Sequence, residues 1–415
     1  MNQRISKTEV CIVGAGPAGT IAALFLAKKG IPCILADKVS FPRDKICGDG
    51  ISGWVVSVLA ELDEDLLLKL NKQPFLLHSH GLRLSAPSGK MLDLPFLDSN
   101  HISTDIPPGY ICKRIDFDHF MLEEAKARPE IDVMENTEVT GYSIQPDGIK
   151  LETSTGDIIH ASMAIFANGA NSGFMKDPGG IYKTKRHTMT GLKAYFKGVT
   201  GAHEKNYVEL HFLEKVLPGS FWIFPLPSGE ANVGIGLDQE TITRKKISLK
   251  KLMFDAIEKE PHIKHRFSGA AQISPVQAYN LPLWDKPRKI SWERYLLAGD
   301  TASLVDPVTG EGIGHAALCG MFSAIQAERA IKSNDFSPGS MAQYDRDVYN
   351  KIGKELRISS KVPRFIRHAW LFNAVVARAV NSKELQEKLM LAMTDLEARK
   401  ELKTPWLYMK VLMGF

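Results

Sequence analysis

The stretch Val10-Cys11-Ile12-Val13-Gly14-Ala15-Gly16-Pro17-Ala18-Gly19 decides the fold. Residues 9–13 form a short β-branched run, the glycines after it are spaced G-x-G-x-x-G, and 20–29 reads as a helix. A second apolar run, 32–36, ends at Asp37, about 20 positions beyond the first glycine. The pattern predicts strand, glycine turn, helix, strand. Gly14 allows the tight turn, Gly16 lets backbone approach a pyrophosphate, Gly19 lets helix and strand pack closely, and the helix N-terminus attracts phosphate charge. Asp37 is placed to accept from ribose hydroxyls. The pattern predicts a dinucleotide site rather than a purely structural turn, and by itself it does not separate FAD from NAD.

The whole chain has 415 residues, nearly three times the usual domain length of ~150, so two or three domains are expected. With 44% hydrophobic and 24% charged residues it fits none of the disordered, collagen-like or disulfide-dense classes. A net charge of +5 is too small and dispersed to argue for a nucleic-acid partner. Cys11, Cys33, Cys47, Cys112 and Cys319 form no C-x-x-C pair and no metal-ligand spacing, which predicts a reducing compartment and no structural metal. The N-terminus lacks a signal-peptide pattern and no apolar run reaches the ~18 residues of a membrane span. The expectation is a cytoplasmic or peripheral protein.

Beyond the first unit, 52–70 has apolar residues at helical spacing, and 76–111 alternates as antiparallel strands do. Residues 117–127 return to helical period, 131–151 suggest short strands, and 164–167 is a brief buried strand running into Asn168-Gly169. The runs 192–196, 207–212, 221–224 and 232–236 predict one antiparallel sheet inserted into the first domain. Then come a strand at 295–298, a long helix at 312–331, and helices after Pro338. The predicted fold is α/β: a Rossmann-like cofactor domain (1–75, 108–185, 285–335), an inserted antiparallel-sheet substrate domain (76–107, 186–284) and a helical C-terminal region (336–415).

A second constellation runs Leu297-Ala298-Gly299-Asp300-Thr301-Ala302, then Asp306-Pro307-Val308-Thr309-Gly310-Glu311-Gly312-Ile313. A strand ending in Gly-Asp and a glycine-rich turn into a helix place a carboxylate and backbone N–H groups in one cleft. Paired with the N-terminal fingerprint, this segment resembles flavoproteins of the p-hydroxybenzoate hydroxylase fold, in which the Asp binds the FAD ribityl chain and the turn faces the flavin ring. More narrowly, GDTASLVDPVTGEGIG at 299–314 is similar to the geranylgeranyl reductase family, whose segment reads close to GDAAGLVNPLTGEGI. Lys45-Ile46-Cys47-Gly48-Asp49-Gly50 resembles that family's K-x-C-G-G/D-G loop, with Asp49 where many members have Gly. Pro218-Gly219-Ser220-Phe221-Trp222-Ile223-Phe224-Pro225 resembles its P-x-x-Y-x-W-x-F-P motif, with Phe221 replacing the tyrosine. Arg114 matches the arginine that opens a helix near the pyrophosphate. The matches run to about residue 331.

The resemblance implies FAD as cofactor, held by Gly14, Gly16, Ala18, Gly19, Asp37, Lys38, Lys45, Cys47, Gly48, Arg114, Val139, Gly169, Asp300, Gly310, Gly312 and Ile313. It implies Trp222, Phe224 and Pro225 on an apolar substrate, and reduction of carbon–carbon double bonds in a geranylgeranyl-type isoprenoid lipid by hydride from reduced flavin plus a proton. Only one complete dinucleotide fingerprint is present, so the electrons come from transient NAD(P)H, ferredoxin or another reductase. Two departures bear on chemistry. Asn168-Gly169-Ala170-Asn171-Ser172 lacks the acid of the hydroxylases' Asp-Gly-x-x-Ser, and Ser303 stands where aromatic hydroxylases tend to have His. A flavin C4a-hydroperoxide monooxygenase or halogenase is the alternative, although the tryptophan halogenases' W-x-W-x-I-P is only distantly echoed at 221–225. A flavin-binding membrane-associated protein without turnover is another.

Several residues carry two readings. Cys47 is either a small residue in a tight loop or the group that delivers or orients the proton. Trp222 and Phe224 are core or cavity wall, since alternation sets them opposite Phe221 and Ile223. His315 reads as structural. Between 356 and 380, Arg357, Lys361, Arg364, Arg367 and Arg378 interleave with Val362, Phe365, Ile366, Trp370, Leu371 and Phe372 without an acid. This is either a packed helix or a basic surface for an anionic membrane. Trp406, Tyr408, Met409, Met413 and Phe415 are expected to cap the substrate cavity or join that surface.

Overall fold

In the computed structural model, which describes residues 4–96, 106–170 and 187–394, the N-terminal run is the strand Ile5–Val13 inside an 8-stranded sheet. It lies between Ile158–Phe166 and Cys33–Ala36, parallel to both, and Ile131–Met134 continues the parallel order beyond Cys33–Ala36. Sheet neighbours on both edges and helices on the faces explain why Val10, Cys11 and Ile12 are consecutively apolar and wholly buried. On the other side Tyr295–Leu297 pairs parallel to Ile158–Phe166. The expected 164–167 strand is thus the end of a longer one. A meander of Val139–Gln145 and Gly148–Thr153 folds back antiparallel onto it.

The first helix, Pro17–Lys28, begins with proline at a position where a missing N–H costs nothing. It packs on Ile313–Ser333, the long helix after the second glycine-rich turn. Residues 52–70 form two helices, Gly53–Leu62 and Glu64–Asn71, where the spacing suggested one. Asp63 divides them: its extended backbone ends the first, and its side chain caps the second by accepting from the Asp65 and Leu66 amides.

The inserted region builds a second 8-stranded sheet in which Thr188–Lys197, Glu230–Asp238, Ser220–Leu226 and Val208–His211 are successive antiparallel neighbours, as the sequence predicted. The 76–111 segment departs from a simple antiparallel set. Gly81–Ser85 and Met91–Pro95 extend this sheet, but Gly81–Ser85 pairs parallel to Val208–His211. Leu77–Ser79 and Gly109–Ile111 instead join Gly50–Ile51 in a 3-stranded sheet.

One face of the second sheet is covered by Leu249–Lys259, whose Leu249, Met253 and Ala256 meet Phe221, Ile223, Val233 and Ile235. The sequence reading did not assign this helix, nor Gln239–Lys245. The C-terminal helices Pro338–Ser359, Val362–Ile366, Ala369–Ala379 and Lys383–Thr394 agree with expectation. Val376, Ala379 and Leu385 close over Ala86, Leu92 and Leu94 at the outer strands of the second sheet.

Candidate active site

The glycine turn is fixed by backbone geometry. Gly14 sits at φ +104°, and a Cβ there would lie 2.5 Å from the Ala167 carbonyl oxygen, so only glycine fits between the two strand ends. Its amide donates to the Ala36 carbonyl oxygen at 2.7 Å. The Asp37 carboxylate accepts from the Ala15 amide at 2.8 Å and the Val39 amide at 3.2 Å, which ties the acidic strand end to the turn and still leaves lone pairs for hydroxyl donors.

Beside this turn, Arg114 opens the helix Arg114–Lys126 and is 1% exposed. Its guanidinium forks onto Asp118, with Nε to Oδ1 and Nη2 to Oδ2 both at 2.7 Å, and Arg43 Nη1 adds a 2.9 Å contact to Asp118 Oδ2. Burial disfavours the charged guanidinium, and the adjacent Asp118 outweighs it, so Arg114 stays protonated.

The Gly-Asp segment forms a short 3-10 turn, Gly299–Ala302, and Asp300 Oδ2 meets Lys45 Nζ at 2.9 Å. Burial opposes ionisation of Asp300, but the Lys45 ammonium prevails and holds the carboxyl below its ordinary range. The following turn is built by Asp306, whose Oδ1 accepts from the Val308 and Thr309 amides at 2.8 and 2.9 Å. His315 is buried and its Nδ1 lies 2.7 Å from the Leu304 carbonyl oxygen, the structural role expected of it.

A third cluster joins the Cys47 loop to the second sheet. Asn232 Nδ2 donates to the Cys47 carbonyl oxygen at 2.8 Å and to Asp49 Oδ2 at 2.7 Å, while its Oδ1 accepts from Trp222 Nε1 at 2.8 Å. The Tyr195 hydroxyl donates to Asp49 Oδ2 at 2.8 Å, and Lys193 Nζ donates to that hydroxyl at 2.7 Å. Asp49 itself adopts φ +70° and is wholly buried.

These clusters surround one cavity of about 1190 Å³. Of the residues the sequence singled out, it is lined by Gly14, Gly16, Ala18, Asp37, Lys38, Lys45, Cys47, Gly48, Arg114, Val139, Gly169, Asp300, Gly310, Gly312, Ile313, Trp222 and Phe224. Two stand apart from its wall. Gly19 packs inside the turn, where a Cβ would meet the Gly14 carbonyl oxygen at 1.8 Å. Pro225 is buried on the alternate face of its strand, the face of Phe221 and Ile223. Asn171 and Ser172 lie outside the described residues, as do Trp406, Tyr408, Met409, Met413 and Phe415.

The structure also brings Arg43, Lys193 and Tyr279 to this cavity, which the sequence reading passed over. The available signal was Lys193 and Tyr195 at alternate positions within the run 192–196, two polar groups on one face. The glycine turn, the helix N-terminus of Pro17–Lys28, the Asp37 carboxylate and the Lys45–Asp300 pair make a polar cradle that fits a dinucleotide. The cavity exceeds the ~300–1,000 Å³ common for single ligands, and beyond the cradle its walls carry Leu84, Leu210, Phe212, Phe224, Ile366 and Phe372 beside Lys193.

An FAD binding domain family model matches residues 7–318. Digeranylgeranylglycerophospholipid reductase from Thermoplasma volcanium is 28% identical over 84% of this chain and 84% of its own length. Digeranylgeranylglycerophospholipid reductase 1 from Methanosphaera stadtmanae is 30% identical over 93% of this chain and 92% of its own. A menaquinone reductase from Mycolicibacterium smegmatis is 26% identical over 87% of each. Among solved structures, a geranylgeranyl bacteriochlorophyll reductase-like protein from Thermoplasma acidophilum superposes with a TM-score of 0.79 at 24% identity, covering 96% of this chain and 99% of that one. A flavin-dependent brominase shares the fold with a TM-score of 0.73 at 15% identity, covering 99% of each chain. A polar cradle opening onto an apolar chamber, with these matches along nearly the whole length, makes the chain a member of the geranylgeranyl reductase family of FAD-dependent oxidoreductases.

Proposed function

We propose that this flavoprotein reduces carbon–carbon double bonds of a long isoprenoid chain carried by a lipid or a quinone. The observation that carries the reading is the continuity of the cavity. One space joins the glycine turn and Lys45–Asp300 pair to walls formed by Leu84, Phe212, Phe224, Ile366 and Phe372. An apolar chain can reach the cofactor there while water is kept out. In this reading FAD is held by the residues named for it above, Gly19 acting through packing alone. Bound FAD supplies two-electron hydride chemistry. The protein must hold the alkene in line, exclude water and deliver a proton, because an isolated alkene is weakly electrophilic.

Trp222 and Phe224 form the sheet wall beside Gly48 and Gly50, with the Phe224 ring 3.2 Å from where a Cβ on Gly48 would sit. Cys47 lies on the facing loop with its carbonyl clamped by Asn232, and we assign it contact with the reacting groups, orienting the proton transfer. We further place the protein against an anionic membrane surface. Arg357, Lys361, Arg364, Arg367 and Arg378 are exposed, Trp370 is 64% exposed, and the inner residues Val362 and Ile366 of the same segment line the cavity. Among the described residues no helix is long and apolar enough to cross a membrane.

Anaerobic stopped-flow absorbance tests the chemistry. Reduced protein should be reoxidised by an isoprenoid lipid without oxygen, and Cys47→Ala should slow that step about 10-fold or more with FAD still bound. Reoxidation only by oxygen, with an oxygenated or halogenated product, would establish the hydroperoxide alternative instead.

A further inference from the structure

Asp49 is a costly residue to place in this loop. It holds a left-handed φ of +70° in a non-glycine residue, is 0% exposed, and its Oδ1 has no hydrogen-bond partner. Its Oδ2 anchors a row of groups that ends at the cavity: Tyr195 donates to it, Lys193 donates to Tyr195, and Lys193 lines the chamber.

Lys193 is 1% exposed, and its ammonium has three N–H donors. One bonds the Tyr195 oxygen, and the nearest carboxylate oxygen, Asp44 Oδ2, is 3.8 Å away. Lys193 also lies 4.3 Å from the Tyr195 ring centroid. Register places it beside Trp222: Lys193 pairs with Gly234, and Gly234 pairs with Trp222 on the next strand. The ammonium therefore belongs to the same sheet wall that carries Trp222 and Phe224, opposite the Cys47 loop.

We propose that Lys193 is the proton donor of this site and that Tyr195 and Asp49 are its positioning residues. The inference rests on the reductase reading above. Bound FAD, reduced by a nicotinamide or iron–sulfur donor, would supply hydride to one alkene carbon. The π pair forms the second C–H bond with the proton leaving Lys193 Nζ, and the neutral amine regains a proton from solvent before the next turnover. Asp49 accepts the Tyr195 hydrogen, which turns the phenol oxygen's lone pairs toward Lys193. Burial pushes the Asp49 carboxyl up, with Lys193, Asn232 and Tyr195 offsetting only part of it. Burial and the Asp49 charge together raise the Tyr195 phenol, so it remains a neutral bridge. The charged or titratable groups facing the row are Asp44, Cys47, Cys112, Lys113 and Arg114.

The test uses FAD-loaded Lys193→Met, Lys193→Gln and Asp49→Asn in the anaerobic reoxidation assay with isoprenoid lipid. Lys193→Met should slow reoxidation about 100-fold and leave reduction by dithionite unchanged. If Lys193→Met fails to retain FAD, Lys193→Gln, which keeps a donor to Tyr195, decides in its place. Asp49→Asn should lower kcat about 10-fold and leave the KM for the lipid unchanged, because an amide loses the charged acceptor that orients the Tyr195 hydroxyl. A wild-type rate in a FAD-bound Lys193 variant overturns the proposal, and so does an unchanged kcat in Asp49→Asn. A wild-type protein that reduces no alkene at all refutes the reductase reading instead, so the two failures are distinct.

Discussion

At the residue scale, the site is built from carboxylates that hold cations and glycines that make room. Asp300 beside Lys45 is a group whose folded value is depressed. Its contribution to stability is therefore present above the ordinary carboxylate range, about 3.9, and is lost as pH falls through the folded value. The stability gap between wild type and Asp300→Asn, read as the urea midpoint, should narrow from about pH 5 to pH 3; a gap of constant size contradicts the assignment. Gly234 lies under the Trp222 indole, where a Cβ would approach Cζ2 to 2.1 Å and the Leu192 carbonyl oxygen to 2.4 Å. Gly234→Ala should cost about 1–3 kcal/mol and raise the KM for an isoprenoid substrate by displacing Trp222; unaltered stability and KM would remove Trp222 from the wall. Gly14, Asp37 and Asp300 were legible because their spacing encodes local geometry. Lys193 and Asn232 were not, because what joins them to Asp49 is the meeting of two distant segments.

At the element scale, alternation and glycine punctuation located most strands, and the four central strands of the second sheet pair as their runs suggested. The parallel pairing of Gly81–Ser85 with Val208–His211 was not readable, since local pattern gives a strand's faces and not its partner's direction. The Leu249–Lys259 helix was readable in principle, from the Ser248 cap on the Lys251 amide and from Leu249, Met253 and Ala256 on one face. Its many lysines obscure that stripe. The segment from Val362–Ile366 through Ala369–Ala379 exposes a cationic face together with Phe365 and Trp370, and turns Val362 and Ile366 into the cavity. Reversing Arg364 and Arg367 to Glu should weaken binding to anionic vesicles about 10-fold or more at low salt, since each cation near such a surface is worth about 1 kcal/mol. Undiminished co-sedimentation would exclude this face as the membrane contact.

At the scale of the whole molecule, the proposed function rests on a cavity walled by three separate parts of the chain. The parallel sheet contributes the glycine turn and Gly-Asp segment, the inserted sheet contributes Trp222, Phe224 and Lys193, and the C-terminal helices contribute Ile366 and Phe372. The motifs announced the cofactor end. At the apolar end only the 218–225 motif gave a signal, because the other walls need only be hydrophobic and come from segments spread from Leu82 to Leu389. The most direct test of the central claim is mass spectrometry of an isoprenoid lipid extract incubated anaerobically with the purified, dithionite-reduced protein. Products heavier by about 2 mass units for each double bond reduced are expected, one hydride and one proton being added per bond. No gain without air, with a product heavier by one oxygen or one halogen once oxygen and a reductant are supplied, would contradict it.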